Sequence, residues 1–443
     1  MGSICKETTR HRGESGEGIK GLMSTLNYIK QQNSFFSGLL IVFLVSFIFS
    51  VDLPITEKFA LLVPAEVILA ILVFLIILDF LLRRVLFIPW NTFVELTILF
   101  FLYNLLNTLV SKHVVVSAKA FIRESLYYIP LFIGILLFLR DEVKIKRLVV
   151  SIMTIGAIFA LWGIYQQLSG TVTNYAVLGA PFFNEHGSYG VYMAFLFSFS
   201  LAFYLYGTTK LQKHLGLILT FLFFAAVILS FAKAAWISVL IVFIVLPAID
   251  RRKFDGLRGI TICVVLVIGL GIFLILFLSA EGYRLGILKF LFSLEYAANQ
   301  ERVNRVATAI NMFKDNPIFG VGIRSYIFEY DKYKTIIFPT IHSEFERMSS
   351  HNQYLDILAN RGIVGFILFF ALITTFLRSG LKGFRTCSNR WKPLILGALL
   401  GNITYFIHWL FNTLWVGKLE ALFWLCFAIV AFGISSGFKK IRI

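Results

Sequence analysis

The sequence predicts an all-α protein that crosses a membrane about twelve times. Of its 443 residues, 58% are hydrophobic and only 15% charged, where a soluble domain carries about 25% charged residues. Long, nearly charge-free runs recur along the whole chain, and its mean hydropathy is +0.82. These observations exclude a soluble enzyme, a disordered protein and a nucleic-acid binder together. The excess of Lys and Arg, a net charge of +17, marks loop orientation in a membrane protein instead.

The elements follow in chain order. Residues 1–33 form a polar, Gly/Ser-rich tail with neither the apolar core nor the cleavage site of a removed signal peptide. A bilayer core of about 30 Å needs about 20 apolar helical residues. Spans are therefore expected at 35–51, 59–80, 93–110, 122–139, 148–168, 187–206, 214–231, 234–249, 259–279, 356–377, 393–411 and 419–437. The stretch 214–249 is split because a single helix of that length would run about 54 Å, far beyond one bilayer. Its break is expected near Ser230–Ala235. The chain thus divides into a tail (1–33), nine helices (34–279), a long loop (280–355), three helices (356–438) and a short C-terminus (439–443).

Twelve spans place both termini on one side. The tail, the even-numbered loops and the final KKIRI hold 25 of the 41 Lys and Arg residues. The odd-numbered loops hold 16, ten of them between Arg284 and Arg361. Outside that stretch the imbalance is 25 to 6, which puts both termini in the cytoplasm and the long loop on the outer face.

That loop holds most of the chemistry, since loops this long are rarely mere connectors. Residues 299–314 read as an amphipathic helix stopped by Asn316-Pro317, and Gly320 and Gly322 permit a tight turn. Arg302 and Arg305, three apart, share a helix face. A pair of always-charged forks suits a phosphate or diphosphate; a solvated basic face is the competing reading. Lys233 is the single charge in a 36-residue apolar run and sits at the expected helix break. A charge at membrane depth is costly and tends to be functional, with a snorkelling lysine as the alternative. His351 follows Ser349 and Ser350, either of which could cap the tenth span. Placed at a helix N-terminus, its ring would stay neutral, able to accept a proton. His342 and His186 could replace it on composition alone. Four scattered cysteines, Cys5, Cys263, Cys387 and Cys426, show no metal-ligand spacing, so neither a metal nor a disulfide is expected.

Three of these stretches resemble one family. SSHNQYLDILANRGIVGF is similar to the His-Asn-x-x-Leu…Gly-x-x-Gly signature of the O-antigen ligase / O-antigen polymerase superfamily. ERVNRVATAINMFKDNPIFGVG resembles its Arg…Pro-x-x-Gly-x-Gly segment, with the family arginine at Arg302. SFAKAAWIS resembles its Ser-x-Arg-Gly-Ala-Trp segment. The resemblance covers about residues 170–440. Three departures stand out: Lys233 for the usual Arg, Val306 for a common Trp, and Asn412 where relatives often show Asp.

The resemblance implies a fold like the GT-C glycosyltransferases, in a bacterial inner membrane, with a periplasmic catalytic loop at 280–355. It also implies a cofactor-free, metal-independent and inverting glycosyl transfer in lipopolysaccharide biosynthesis. The donor would be a glycan on undecaprenyl diphosphate and the acceptor a sugar hydroxyl of lipid A–core. His351 would be the base and Lys233, Arg302 and Arg305 the diphosphate cradle, with Asn352, His186, Arg123 and Arg324 as secondary candidates. A polymerase, whose acceptor is a second lipid-linked glycan, would run identical chemistry. A lipid-linked glycan transporter would instead show internal repeats and mid-bilayer charges.

Overall fold

The computed structural model describes residues 33–56, 59–83, 85–88, 90–139, 141–172, 177–254, 297–340, 345–347, 349–414, 417–434 and 439–442. The N-terminal tail, the expected ninth span 259–279, His342, Cys5 and Cys263 lie outside the described residues.

Each of the other expected spans contains a helix. These are α1 (Asn33–Ser46), α2 (Ala65–Arg83), α3 (Thr92–Leu109), α4 (Val114–Phe138), α5 (Glu142–Leu168), α6 (His186–Tyr206), α7 (Lys210–Leu229) and α8 (Lys233–Ile249). After the outer-loop helices α9 (Ala297–Asp315) and α10 (Tyr326–Tyr333) come α11 (Gln353–Thr386), α12 (Lys392–His408) and α13 (Gly417–Gly433). Among the described residues, seven helices are long and apolar enough to cross a membrane: α2 to α7 and α11. The protein is a predominantly helical, multi-pass membrane protein.

Local sequence sets the helix starts. Asn91, Asp141 and Thr209 each accept a backbone N–H of the first turn of α3, α5 and α7. Pro130 lies inside α4, where the missing N–H gives way to a wider turn over Ile129–Gly134.

Two short sheets depart from the all-α expectation. β1 (Val51–Thr56) pairs antiparallel with β2 (Phe59–Val63), taking residues assigned from sequence to the first two spans. Pro64 explains the late start of α2, because the residue before a proline is pushed toward extended backbone. β3 (Val85–Ile88) pairs with β4 (Lys439–Arg442), so the C-terminal segment lies beside the α2–α3 connection at one end of the bundle.

At the centre stands α6, with all but its ends buried. Gly190 brings it against the α7–α8 break: a Cβ there would lie 2.5 Å from the Ala232 Cβ and 2.8 Å from the Ser230 Oγ. Small residues permit such approach in membrane bundles.

The feature that organises the outer end is a broken helix. α11 runs from Gln353 to Thr386 but is interrupted at Gly362, with φ 64° and ψ −169°. Into that break docks the segment after α9. Val321 and Gly322 donate backbone N–H groups to the carbonyls of Ala359 and Asn360, at 3.0 and 2.9 Å. Ile363 N–H returns to the Pro317 carbonyl at 2.8 Å. Asn360 Oδ1 accepts from Tyr326 N–H, and Asn107 Nδ2 donates to the Phe319 carbonyl. The freed groups of the break are thus met by protein, as apolar surroundings require. Behind it, Arg361 forks onto Glu124 at 2.9 and 3.1 Å and donates through Nε to Asn104.

This contact explains the paired glycines. A Cβ on Gly362 would lie 2.2 Å from the Ile318 carbonyl oxygen, and one on Gly320 would lie 2.4 Å from the Asn360 carbonyl carbon. Both glycines also have positive φ. Gly362→Ala combines backbone strain of about 1–3 kcal/mol with a clash against backbone. It should lower the melting temperature of the purified protein, whereas Gly38→Ala, whose Cβ meets nothing within 4 Å, should leave it unchanged. Thermal unfolding in detergent, followed by tryptophan fluorescence, checks the pair.

Candidate functional site

The α7–α8 break lies where the length argument expects it. α7 ends at Leu229, Phe231 has φ 55°, and α8 starts at Lys233. Ser230 Oγ donates to the Val227 carbonyl at 2.6 Å and accepts the Ala232 N–H at 3.2 Å. Trp236 reaches back across the break, its Nε1–H on the Val227 carbonyl at 2.9 Å. The Ser, Ala and Trp of this motif therefore brace a turn that presents Lys233 at the first position of α8.

On α9 the two arginines divide. Arg302 is exposed, with Nη1 on Asn299 Oδ1 at 3.2 Å. Arg305 is largely buried: its side chain is 12% exposed and pairs with Glu301 at 3.6 Å. Its Nε is buried with no partner among the described residues. Burial lowers its pKa from the ordinary guanidinium range, partly offset by Glu301 and the nearby Tyr330 and Tyr326 hydroxyls. The Arg302 charge bears on the Lys233 ammonium and on Arg305, so the three cations form one cluster.

His351 faces this cluster, but its placement corrects the sequence reading. The cap of α11 is Asn352, not a serine: its Oδ1 accepts the N–H groups of Tyr354 and Leu355, each at 3.0 Å. Asn352 Nδ2 donates to the Leu410 carbonyl, which ties the cap to the end of α12. His351 precedes the cap with φ 47°, outside the helix. Its imidazole pKa is lowered to about 4, first by burial and next by the Arg305 charge, with a weaker contribution from Arg302. A side-chain hydrogen bond with Asn412 acts in the opposite direction. The ring is neutral at physiological pH, as expected, but from burial and two arginines.

The secondary candidates separate. His186, at the start of α6, lies near His408. Arg123 belongs to another cluster, its Nε on Glu66 Oε1 at 2.8 Å beside the Tyr127 hydroxyl and Glu420. Arg324, with φ 58°, bears on Asp356 and Tyr405. Neither of these arginines is among the charges acting on His351. Sequence reasoning missed Asn412 as a contact of His351, along with His408 and the buried Glu66 and Glu420. Asn412 had one signal, its place in the HWLFNTLW segment; the other three had none. Among the described residues, no group of three or more His, Cys, Asp or Glu is placed to hold a metal ion.

Chemically, the cluster can neutralise a dianionic or trianionic phosphate group beside a neutral imidazole that can take a proton. Residues 218–370 match the family model described as O-antigen ligase, the family that the three motifs resemble. The match takes in Lys233, Arg302, Arg305 and His351. No curated protein matches the chain. The match supports a membrane enzyme of the O-antigen ligase or polymerase type.

Proposed function

We propose, from an O-antigen ligase match that encloses the whole cation–imidazole cluster, that the chain transfers a glycan from undecaprenyl diphosphate to a sugar hydroxyl of lipid A–core. The observation that carries this reading is the grouping of Lys233, Arg302 and Arg305 around His351 at one end of the bundle. In the proposed step the acceptor O–H gives its proton to the free imidazole nitrogen of His351. The oxygen attacks the anomeric carbon from the face opposite the leaving group, and the bond from that carbon to the diphosphate oxygen breaks. The electron pair leaves with the diphosphate, whose added charge the three cations stabilise. Inversion follows from the single displacement. No metal is needed, because the cations take the charge-stabilising part of a divalent ion.

The test is transfer by purified protein in chelator, with lipid-linked glycan as donor and lipid A–core present or omitted. Glycan attached to lipid A–core supports the ligase reading. Chain growth without lipid A–core identifies a polymerase, and loss of turnover in chelator restored by magnesium overturns metal independence. Sidedness has its own test, in a variant with the native cysteines replaced. Glu346→Cys should react with an impermeant thiol reagent when only the outer membrane is permeabilised, and Arg390→Cys should not. Both positions are exposed. The reverse pattern would overturn the orientation.

The pH profile follows from the cluster. His351 serves as base only when unprotonated, so the acid limb of kcat/KM should lie near pH 4. Arg305→Gln removes a charge that disfavours the imidazolium. The imidazole pKa then rises toward its ordinary 6.5, and the base is lost at a higher pH on acidification. An acid limb that stays in place in Arg305→Gln would show that another group titrates.

A further inference from the structure

The proposed base has a support that the sequence motifs do not mark. Asn412 lies one turn past the end of α12, its backbone N–H on the His408 carbonyl at 3.1 Å. Its side chain hydrogen-bonds to His351 and also to the ring of His408, with Nδ2 and Nδ1 3.3 Å apart. His408 is fully buried, and its Nε2 is buried with no partner among the described residues. The Start of α6 closes the other side: a Cβ on Gly187 would lie 3.9 Å from Asn412 Nδ2.

We propose that His408 and Asn412 form an orienting chain that fixes the tautomer of His351. A ring nitrogen that accepts an amide N–H carries no proton, so His408 holds its proton on Nε2 and accepts through Nδ1. That acceptor selects the Nδ2 end of the Asn412 amide, which leaves Oδ1 for His351. An oxygen accepts only, so the His351 nitrogen facing Asn412 must carry the N–H. The other ring nitrogen is left with its lone pair free for the acceptor hydroxyl. A base oriented by a third group is the general logic of such sites, and here the third group is a neutral amide whose own direction is set by a buried imidazole. Asn412 and His408 are positioning residues; neither touches the reacting atoms. This inference rests on the base role of His351, yet the tautomer can be read without any reaction.

The experiment uses the full chain in nanodiscs with 15N-labelled histidine, and His351→Gln assigns the ring signals of His351 by their loss. In the parent, the two nitrogens should show the well-separated shifts of one tautomer. Asn412→Ala should bring them together as both tautomers are populated, with kcat falling several-fold or more and KM for the donor unchanged. Asn412→Asp keeps an acceptor oxygen toward His351 and adds a negative charge. It should therefore keep one tautomer and move the acid limb of the pH profile upward. His408→Gln offers either end of its own amide, so it should loosen the tautomer balance while retaining the fold. Unchanged His351 signals in Asn412→Ala would overturn the proposal even if that variant were slow. Altered signals with a parental rate would uphold the orienting chain and remove His351 as the base.

Discussion

His351→Ala should slow glycan transfer by about 10²–10⁴-fold, the usual contribution of a positioned base, while donor binding survives. The imidazole is the neutral member of the cluster, and the charges that would hold a diphosphate are on Lys233, Arg302 and Arg305. His351→Gln separates two roles. Glutamine can still hydrogen-bond to an acceptor hydroxyl, but it cannot take up its proton, so it should be nearly as slow as alanine. Single-turnover rates with donor prebound isolate the chemical step from binding. A glutamine variant close to the parental rate would make His351 an anchor for the acceptor only.

Lys233→Ala and Arg302→Ala should each lower turnover by about 10²–10³-fold, comparable to the loss of one preorganised electrostatic partner. At an effective dielectric of about 20, a cation about 4 Å from an anion is worth about 4 kcal/mol before desolvation. Charge grows on the diphosphate as the bond breaks, so the loss should appear in kcat as well as in donor affinity. Lys233→Arg should keep most of the activity, because charge persists at the first position of α8 and the wider guanidinium projects from an already braced break. Arg305→Ala should be milder in turnover, since its side chain is largely buried and paired with Glu301. Turnover and donor affinity measured on the three alanine variants would test the ranking. Parental transfer by both Lys233→Ala and Arg302→Ala would sink the cradle assignment.

Helix positions were legible in the sequence because apolar runs of spanning length are a strong signal. The break before Lys233 was legible from length alone. The hairpin of β1 and β2 was not, because its residues are as apolar as those of a span and only Pro54 and Pro64 argue against helix. Arg302, Lys233 and His351 were legible through motif order. Asn352 as the cap was less so, since two serines competed for the same task and the winner depends on backbone direction. Asn412 and His408 act through contacts between segments about 60 residues apart, which no local pattern encodes. The glycines of both motifs were visible as turn formers. Their partner, each other's backbone, was not.

The docking of residues 317–322 into α11 also bears on how the protein is made. The docked segment precedes α11 in the chain, as does Asn107 on α3, which contacts the Phe319 carbonyl. When α11 leaves the ribosome, the groups that will meet its open carbonyls at Ala359 and Asn360 have already been synthesised. A helix with such a gap would be a poor guest in lipid, and it enters only as well as its earlier partners have been delivered. Assembly therefore has a built-in order: a chain whose outer loop is delayed would hold α11 at the insertion machinery, exposed to quality-control proteases, before any question of catalysis arises.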